Sequence, residues 1–413
     1  MSLSNAFPSV SPSLNLNFVR NNRLDPRITY SRSTTATYVG SDGYIKTAAI
    51  NEPRFEYDPV SLAPRGLLLE GPRTNLTLYS QDMDNAYWNK PSSIVSANVA
   101  IAPDGTMTAD KLIPTATTST GISSSIVVGL NKTYTQSIYV KAGENSVFRM
   151  QMPADNFGSG SDRLVDFDLI ALTMTGTGGT MTHVGNGWYR CTITATASTG
   201  SGNSSIQHYV RDNTTANGTD GLYIWGAQFE EAFFASSYIQ TTSAEVTRAA
   251  DDMEITDNNF IPWYNQAGGA FVISSDTFKA DNTANTTYSR IFNLSDGSTD
   301  SRYTLFYNTT GGVSMAASGA GFTTSDSDSG VASKTVQKVG VNIEAGNSFL
   351  THNGVQAGTT DTGAIVLNYM NQLYFFLYGT SSDEVNYGWG HIQYLLYYPE
   401  PLTLAQLQAL TKQ

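Results

Sequence analysis

Residues 133–142 read TYTQSIYVKA, and their side chains alternate between two sets along the chain. One set is Tyr134, Gln136, Ile138 and Val140, and the other is Thr135, Ser137, Tyr139 and Lys141. In an extended chain, successive side chains point to opposite faces, so a repeat of two residues is typical of a β-strand. The stretch therefore predicts one strand of a β-sheet.

Similar stretches follow this strand, separated by turns rich in Gly, Asn and Asp. They read SVFRMQM (146–152), RLVDFDL (163–169), GWYRCTITATA (187–197), SSIQHYV (204–210) and GLYIWGAQFE (221–230). Short strands at this spacing, without a helical repeat, are typical of an antiparallel β-sandwich. We therefore expect residues 76–246 to form one sandwich.

A second group of strand-like stretches predicts another sandwich over residues 269–413, joined to the first by a connector at residues 247–268. Its stretches include GAFVISSDTF (269–278), RYTLFYN (302–308), LYFFLYG (373–379) and HIQYLLYYP (391–399). Helical spacing occurs in the terminal LTLAQLQALTK, where Thr403 is a capping residue before Leu404, Leu407 and Leu410 on one face. The predicted fold is all-β: two antiparallel β-sandwiches and a short C-terminal helix.

The composition argues against several functions. The chain has 413 residues, a formal net charge of −12 and 14% charged residues. This acidity argues against nucleic acid as a partner, because phosphate binding needs clustered Lys and Arg. No apolar run reaches the roughly 18 residues of a membrane span, and no signal peptide is visible. Cys191 is the single cysteine, which excludes an internal disulfide, and the sequence implies no required cofactor.

Residues 24–75, LDPRITYSRSTTATYVGSDGYIKTAAINEPRFEYDPVSLAPRGLLLEGPRTN, combine Pro, Gly, Arg and aromatic residues without a helical period or catalytic motif. Arg27, Arg54 and Arg73 lie within this opening segment, and each directly follows a Pro. Guanidinium groups form bidentate bonds with carboxylates and carbonyls, so we expect structural roles for them. An anionic-ligand site is the alternative. Residues 1–23 contain few apolar residues and predict an extended arm that orders against a partner, or a disordered tail.

The blocks of the opening segment resemble the start of bacteriophage head spike and tail fibre proteins. These blocks are DPRITYSRSTTATY, NEPRFEYDP, RGLLLE and RTNL. Residues 76–246 resemble jelly-roll carbohydrate-binding modules, through PDGTMTADKL, YTQSIYVKA, GNGWYR and LYIWGAQFE. Residues 269–413 resemble concanavalin-like or laminin-G-like domains, through the HNG turn and GWGHIQYLLYYPEPLT.

These resemblances imply a phage virion structural protein displayed on the particle as a head, collar or tail fibre or spike. It would be a homotrimer, attach to a capsid, collar or tail protein through residues 1–23, and present its sandwiches to host-surface polysaccharide. A glycan-depolymerising tail spike and a capsid decoration protein without a ligand are the alternatives. The chain lacks the E-x-D-x-E strand of concanavalin-like hydrolases, so we expect no enzymatic activity and assign no catalytic residue.

Two kinds of ligand site are predicted. Aromatic rings stack on sugars and polar groups bind their hydroxyls, which selects Tyr209, Arg211, Asp212, Trp225, Tyr387 and Trp389 as candidate glycan-binding residues. Calcium is a possible ligand of the oxygen-rich loop that contains Asp212, Asn217 and Asp220. The alternative for this loop is a set of Asx turns that bond to their own backbone.

Overall fold

The computed structural model describes residues 7–118, 120–158, 163–211, 216–277, 289–298, 301–308, 312–318, 322–325, 335–362, 369–376 and 388–413. Antiparallel strands dominate these residues, which confirms the predicted all-β fold with two sandwiches. No helix in these ranges is both long and apolar enough to span a membrane.

The elements follow one another in three groups along the chain. The first 75 residues contain the strands β1 (Leu14–Asn17), β2 (Thr29–Ser31), β3 (Ala36–Val39), β4 (Ile45–Ala48), β5 (Arg54–Tyr57), β6 (Pro64–Leu69) and β7 (Arg73–Asn75). Residues 76–245 contain β8 (Ser93–Ala100), β9 (Ala109–Pro114), β10 (Gly121–Val128), β11 (Thr133–Lys141), β12 (Val147–Gln151), the helix α1 (Ala154–Phe157), β13 (Leu164–Asp168), β14 (Thr173–Thr175), β15 (Gly179–His183), β16 (Trp188–Thr196), β17 (Gly202–Val210) and β18 (Leu222–Glu231). The remaining residues contain β19 (Val246–Arg248), β20 (Asp252–Thr256), a 3-10 turn (Asp257–Asn259), β21 (Gly269–Ser275), β22 (Ser289–Ser295), β23 (Arg302–Tyr307), β24 (Val313–Ser318), β25 (Phe322–Ser325), β26 (Gln337–Ile343), β27 (Ser348–His352), β28 (Val355–Asp361), β29 (Gln372–Phe375), β30 (Gly390–Tyr398) and the helix α2 (Leu404–Thr411).

The first sandwich packs a five-stranded sheet against a six-stranded sheet. The strand order is β10-β17-β12-β13-β14 in the former and β15-β16-β11-β18-β9-β8 in the latter. Apolar side chains of both sheets meet in the core, among them Ile138, Phe148, Phe167 and Phe229. Ile138 belongs to one of the two alternating sets of β11 side chains. That set points into the core, as the repeat of two residues in the sequence predicts.

The other face of β11 is also buried. Tyr139 packs there in a separate cluster with Trp188, Trp225 and Tyr238. This face is covered because the loop after β18 and part of the opening segment fold over the six-stranded sheet. Strand β11 is therefore enclosed on both sides, and the space between the sheet and its cover becomes important for the site.

The second sandwich consists of an eight-stranded and a seven-stranded sheet. The eight-stranded sheet runs β28-β27-β26-β21-β30-β6-β5, with β1 also paired to β30, and the seven-stranded sheet runs β2-β20-β29-β22-β23-β24-β25. Strands β1 and β6 occupy successive parts of one side of β30: β6 pairs with residues 390–392 and β1 with residues 394–397. The sandwich is thus completed by strands from the other end of the chain.

Residues 14–18 belong to this sandwich, so the predicted extended arm of residues 1–23 is wrong for them. Leu14 and Leu16 are only 0% and 2% exposed, and Leu16 pairs with Leu395 of β30. The sequence LNLNF alternates apolar and polar residues, which suits a strand with one buried face. Burying each apolar side chain contributes about 1.5–3 kcal/mol, which offsets the entropy lost by fixing the chain.

The opening segment and the connector are likewise integrated into the second sandwich and are not separate units between domains. From the opening segment, β2 pairs with β20 of the connector, and β6 places Leu67 and Leu69 in the core. The connector adds Met253 and Ile255 to the same core. The expected boundaries at residues 23 and 268 therefore do not separate independent cores, whereas the core of the first sandwich does lie within residues 76–246.

The C-terminal helix α2 confirms the prediction from its sequence. Thr403 forms a capping box with Gln406, in which each side chain bonds to the backbone of the other. Leu407 is fully buried against the outer face of the eight-stranded sheet. The helix approaches closely at Gly340 of β26, where a Cβ atom would lie 2.5 Å from the Thr351 hydroxyl and 2.6 Å from a methyl group of Leu407, so a larger residue would force these side chains to shift.

A buried ion network joins the opening segment to the connector. Arg54 forms ion pairs with Glu70, at 2.8 Å, and with Asp251. Arg32 pairs with Asp251 at 2.9 Å, and Arg248 lies 3.4 Å from Glu70. All five side chains are 0–1% exposed. Such groups are retained only when they are paired, because an isolated buried charge is strongly unfavourable.

Neutral hydrogen-bonding groups complete the network. Glu70 accepts hydrogen bonds from the backbone N–H and the hydroxyl of Ser237, at 2.9 and 2.6 Å. Arg54 also donates to the carbonyl of Thr37 at 2.9 Å. Burial raises the pKa of Glu70, but the Arg248 and Arg54 guanidiniums outweigh it and hold this pKa well below its usual range. The carboxylate therefore stays ionised, and the network also fixes the loop after β18.

We predict that Leu16→Ala destabilises the second sandwich by about 2–5 kcal/mol, because it leaves a cavity in the core. The neighbouring Asn15→Ala is the matched control, since Asn15 is exposed on the same strand, and should change stability by about 0.5 kcal/mol or less. Urea unfolding followed by tryptophan fluorescence measures both. Equal, small effects would show that residues 14–18 do not form part of the sandwich.

Candidate functional site

A cavity of about 590 Å³ lies where the opening segment covers the outer face of the six-stranded sheet. We call it the junction cavity. Residues 37–39 and 56–59 line one side, and β15 and β16 line the other. Residues 233–238, which follow β18, close it. Its volume is within the range of about 300–1,000 Å³ that is usual for pockets that bind small molecules.

The sheet side of the cavity is a row of hydroxyl groups. Strands β15 and β16 place Thr180 opposite Thr192 and Thr182 opposite Arg190. The hydroxyls of Thr180 and Thr192 are 2.5 Å apart. This face arises from the alternation in β16, whose intervening residue Cys191 points into the sandwich core. The row therefore consists of the polar residues that alternate with apolar ones along β16, and these polar side chains line the cavity.

The opening-segment side carries aromatic and charged groups. Tyr38 and Tyr57 line the cavity together with Glu56, Asp58 and Arg65. Asp58 accepts hydrogen bonds from two backbone N–H groups of its own turn, at 3.0 and 2.8 Å. Burial raises the pKa of Asp58, but these bonds outweigh it and lower the pKa overall. The Asp58 side chain is thus an ionised turn-forming group at the cavity wall.

Glu56 belongs to a second charged cluster that connects the cavity to the second sandwich. Its carboxylate accepts a bond of 2.8 Å from Nε2 of His391, whose Nδ1 donates to Asp276 at 2.9 Å. Arg65 lies 3.4 Å from Asp276. Burial lowers the pKa of His391, but Asp276 and Glu56 outweigh it and raise the pKa to about 9. The imidazole is therefore a cation at neutral pH and neutralises the cavity-facing Glu56.

Arg190 is held against the sheet by neutral groups. Its Nη1 donates to the carbonyl of Ser236 at 2.7 Å, and its Nη2 donates to the hydroxyl of Ser137 at 3.0 Å. The guanidinium carbon lies 5.3 Å from the centre of the Tyr139 ring, within the range of a cation–π contact. These contacts fix the orientation of the group at the cavity wall.

The two tryptophans predicted as glycan-binding residues are core residues. Trp225 is 1% exposed, and its indole N–H donates to the hydroxyl of Thr108 at 3.1 Å. Trp389 is also 1% exposed, with the Arg73 guanidinium 4.1 Å from its ring centre. Neither ring has a face free for a ligand, so these assignments are wrong. Each face is covered by residues distant in sequence, which the local pattern does not reveal.

The other predicted site residues lie away from the junction cavity. Tyr209 is half-buried in β17, and Arg211 is exposed just beyond that strand, on the five-stranded sheet. Asp212 and Tyr387 lie outside the described residues. The expected site near Tyr209 is therefore distinct from the cavity.

The predicted calcium loop can be described only at Asn217 and Asp220. Asn217 Oδ1 accepts the backbone N–H of Asp220 at 2.9 Å, and its Nδ2 donates to the Asp220 carboxylate at 2.7 Å. These are the bonds of an Asx turn, which was the alternative reading of this loop. No group of three or more metal-ligating side chains occurs in the part of the chain that the structure describes.

The three arginines expected to be structural have different environments. Arg54 is in the buried ion network, and Arg73 packs on Trp389. Arg27 is 31% exposed and forms a bidentate pair with Asp25, two residues away. Its contacts are local, so its contribution to stability should be small.

The cavity-lining residues are absent from the sequence predictions. They come from three segments, near residues 38–65, 180–194 and 233–238, that meet only in the folded chain. One signal was present in the sequence YRCTITAT, where Arg190 and threonines alternate with apolar residues. Such alternation marks the outward face of the strand but does not show that a cover creates a cavity above it.

Several solved structures are similar to part of this chain. The CBM40 module of the Ruminococcus gnavus IT-sialidase, bound to α2,3-sialyllactose, is 17% identical with a TM-score of 0.31, over 36% of this chain and 84% of the module. The botulinum neurotoxin serotype D binding domain is 15% identical with a TM-score of 0.30, over 39% of this chain and 40% of that chain. Domain 4 of a GH43 extracellular arabinanase from Geobacillus stearothermophilus, in complex with arabinotriose, is 12% identical with a TM-score of 0.28, over 43% of this chain and 82% of that domain.

These similarities are too weak to assign any of those ligands to this chain. No family model matches the chain, and no curated protein is significantly similar to it in sequence.

We predict that the ion pairs of His391 make stability depend on pH. Because the folded-state pKa of about 9 exceeds the ordinary 6.5, the stabilisation is complete below about pH 6.5 and is lost as the pH rises through 9. The increase in the pKa of His391 corresponds to about 3 kcal/mol of folding free energy. Burial raises the pKa values of Glu56 and Asp276, but His391 lowers both, so their contribution is lost as the pH falls below their ordinary values.

The measurement is the free energy of unfolding of the native chain and of His391→Gln between pH 6 and pH 10. The native chain should lose more stability over this range than the variant, whose amide does not titrate. His183→Gln is the control, because His183 is exposed. Parallel pH profiles for all three proteins would contradict the charged state of His391.

Proposed function

We propose that this chain is a non-enzymatic phage virion protein whose junction cavity binds host-surface glycan. The observation that carries the proposal is the chemistry of the cavity, which combines a threonine row on one side with Tyr38, Tyr57 and charged side chains on the other. Hydroxyl, carboxylate and guanidinium groups bind sugar hydroxyls, while aromatic rings contact the apolar C–H faces of sugars.

The absence of enzymatic activity is part of the same proposal. Glycoside hydrolysis needs a carboxylic acid with a raised pKa that donates a proton to the leaving group. The cavity-lining Glu56 and Asp58 both have lowered pKa values, and both accept hydrogen bonds from fixed donors. They are suited to accept hydrogen bonds from sugar hydroxyls and unsuited to act as general acids.

The virion role rests on the resemblance of the opening segment to phage spike and fibre proteins. In that setting the chain would be displayed on the particle as a homotrimer. Attachment to the capsid, collar or tail would use residues near the N-terminus that are outside β1, because Leu14 and Leu16 are buried in the second sandwich. Both sandwiches and the cavity between cover and sheet would then face the host.

We predict that Thr192→Trp abolishes glycan binding, because the indole would fill much of the space above the sheet. Thr173→Trp is the matched control, since Thr173 is exposed on β14 of the other sheet. Binding of the native chain and both variants to a glycan array tests this, with thermal unfolding as the check of folding. Unchanged binding by Thr192→Trp would exclude the cavity as the site.

A reducing-sugar assay on a host polysaccharide that the native chain binds separates adhesion from cleavage. We expect no release of reducing ends. Release that depends on Glu56 or Asp58 would favour the glycan-depolymerising spike instead.

A further inference from the structure

Arg190 differs from the other arginines around the junction cavity in its partners. Both of its hydrogen bonds go to neutral oxygens, those of Ser236 and Ser137. Arg54 and Arg65 are instead paired with carboxylates, at 2.8 Å to Glu70 and 3.4 Å to Asp276. Across the residues that the structure describes, no Asp or Glu forms an ion pair with Arg190. Its charge is therefore available to a ligand.

The remaining charges at the wall largely neutralise each other. Glu56 and Asp276 face His391 and Arg65, which gives two anions and two cations in one cluster. Of the other carboxylates of the lining, Asp58 is bonded to its own turn and Glu70 is paired with Arg54 in the buried ion network. Arg190 thus lines the cavity with neutral oxygens as its hydrogen-bond partners, and its charge favours an anion beside it.

The surroundings of Arg190 suit an anionic group attached to a sugar. Thr182 lies opposite it on β15, and Thr192 lies two residues along on the same face of β16. Both line the cavity and offer hydroxyl donors beside the guanidinium. The Tyr139 ring and Ser236 hold the guanidinium in place, so little side-chain entropy would be lost on binding.

We propose that the junction cavity selects glycans that carry an anionic substituent, and that Arg190 pairs with this substituent. A guanidinium fork matches a carboxylate in a bidentate manner, so a uronic acid or another carboxylated sugar is the favoured class. Sulfate and phosphate substituents share this chemistry. The inference rests on the proposed glycan-binding function and adds the class of sugar.

The net charge of −12 makes this selectivity a local property. At long range the chain repels an acidic polysaccharide, so general attraction cannot explain preference for acidic sugars. A preference of this kind must come from a particular cation in the site, and it should weaken at high salt.

The experiment compares matched oligosaccharides by calorimetric titration at low and high salt. The probes are a galacturonic acid trisaccharide, its carboxyl-reduced counterpart, and sulfated and phosphorylated galactose trisaccharides. The native chain should bind the galacturonic acid trisaccharide at least tenfold more tightly than the reduced one. Arg190→Gln should lose about tenfold to a hundredfold in affinity for the acidic probe and little for the reduced one.

Two variants serve as controls. Arg20→Gln removes the same charge from an exposed position just after β1 and should bind as the native chain does. Arg190→Lys keeps the charge but lacks the fork, so it should be intermediate for the carboxylate. If Arg190→Gln does not fold, the relative affinity of the native chain for the acidic and reduced probes still tests whether the cavity selects an anionic substituent.

Equal affinity of the native chain for the acidic and reduced trisaccharides would overturn this inference and leave the proposed function intact. If the native chain binds neither the acidic nor the reduced trisaccharide, both this inference and the proposed function are overturned. Tighter binding of the sulfated or phosphorylated probe, lost in Arg190→Gln, would support an anionic substituent but identify it as one of those groups.

Discussion

The buried ion network of Arg54, Glu70 and Asp251 is the constraint on which the arrangement of the chain depends. It joins β5 and β6 of the opening segment to the connector, and through Ser237 it also holds the loop after β18. Removing one partner from such a network costs about 3–5 kcal/mol, because the other charge is left buried without compensation. One cluster thereby holds both the second sandwich and the cover of the first sandwich.

The junction cavity is a consequence of this arrangement. Strands β5 and β6 present two faces: Phe55 and Leu67 pack toward the core of the second sandwich, while Glu56 and Leu68 face the cavity. The same short strands therefore complete one sandwich and roof the outer sheet of the other. A ligand in the cavity would contact residues whose positions are fixed by the second sandwich, through the bond between Glu56 and His391.

The sequence predicted what depends on local pattern. The period of two identified the strands of both sandwiches, and Thr403 with its leucines identified α2. It did not predict β1, because the alternation LNLNF is only five residues long and the partner of Leu16 is Leu395, at the other end of the chain. It misplaced Trp225 and Trp389 for the same reason, since exposure depends on which distant segment covers a face. The cavity is formed by three segments that are distant in sequence, so the pattern within any one of them does not predict it.

Buried charges are an unexpected choice in a chain with 14% charged residues, because apolar side chains of similar volume often stabilise a protein equally well or better. Unlike apolar contacts, bonds between charged groups depend on direction, so they specify one alignment of the strands. A shift of β5 by one residue would exchange Arg54 and Glu56 for Phe55, and would place an aromatic ring against Glu70 and Asp251. Apolar contacts would tolerate that shift, whereas the bonds of Arg54 to Glu70 and to the Thr37 carbonyl would not form. The network therefore specifies the register of the opening segment, and with it which side chains face the junction cavity.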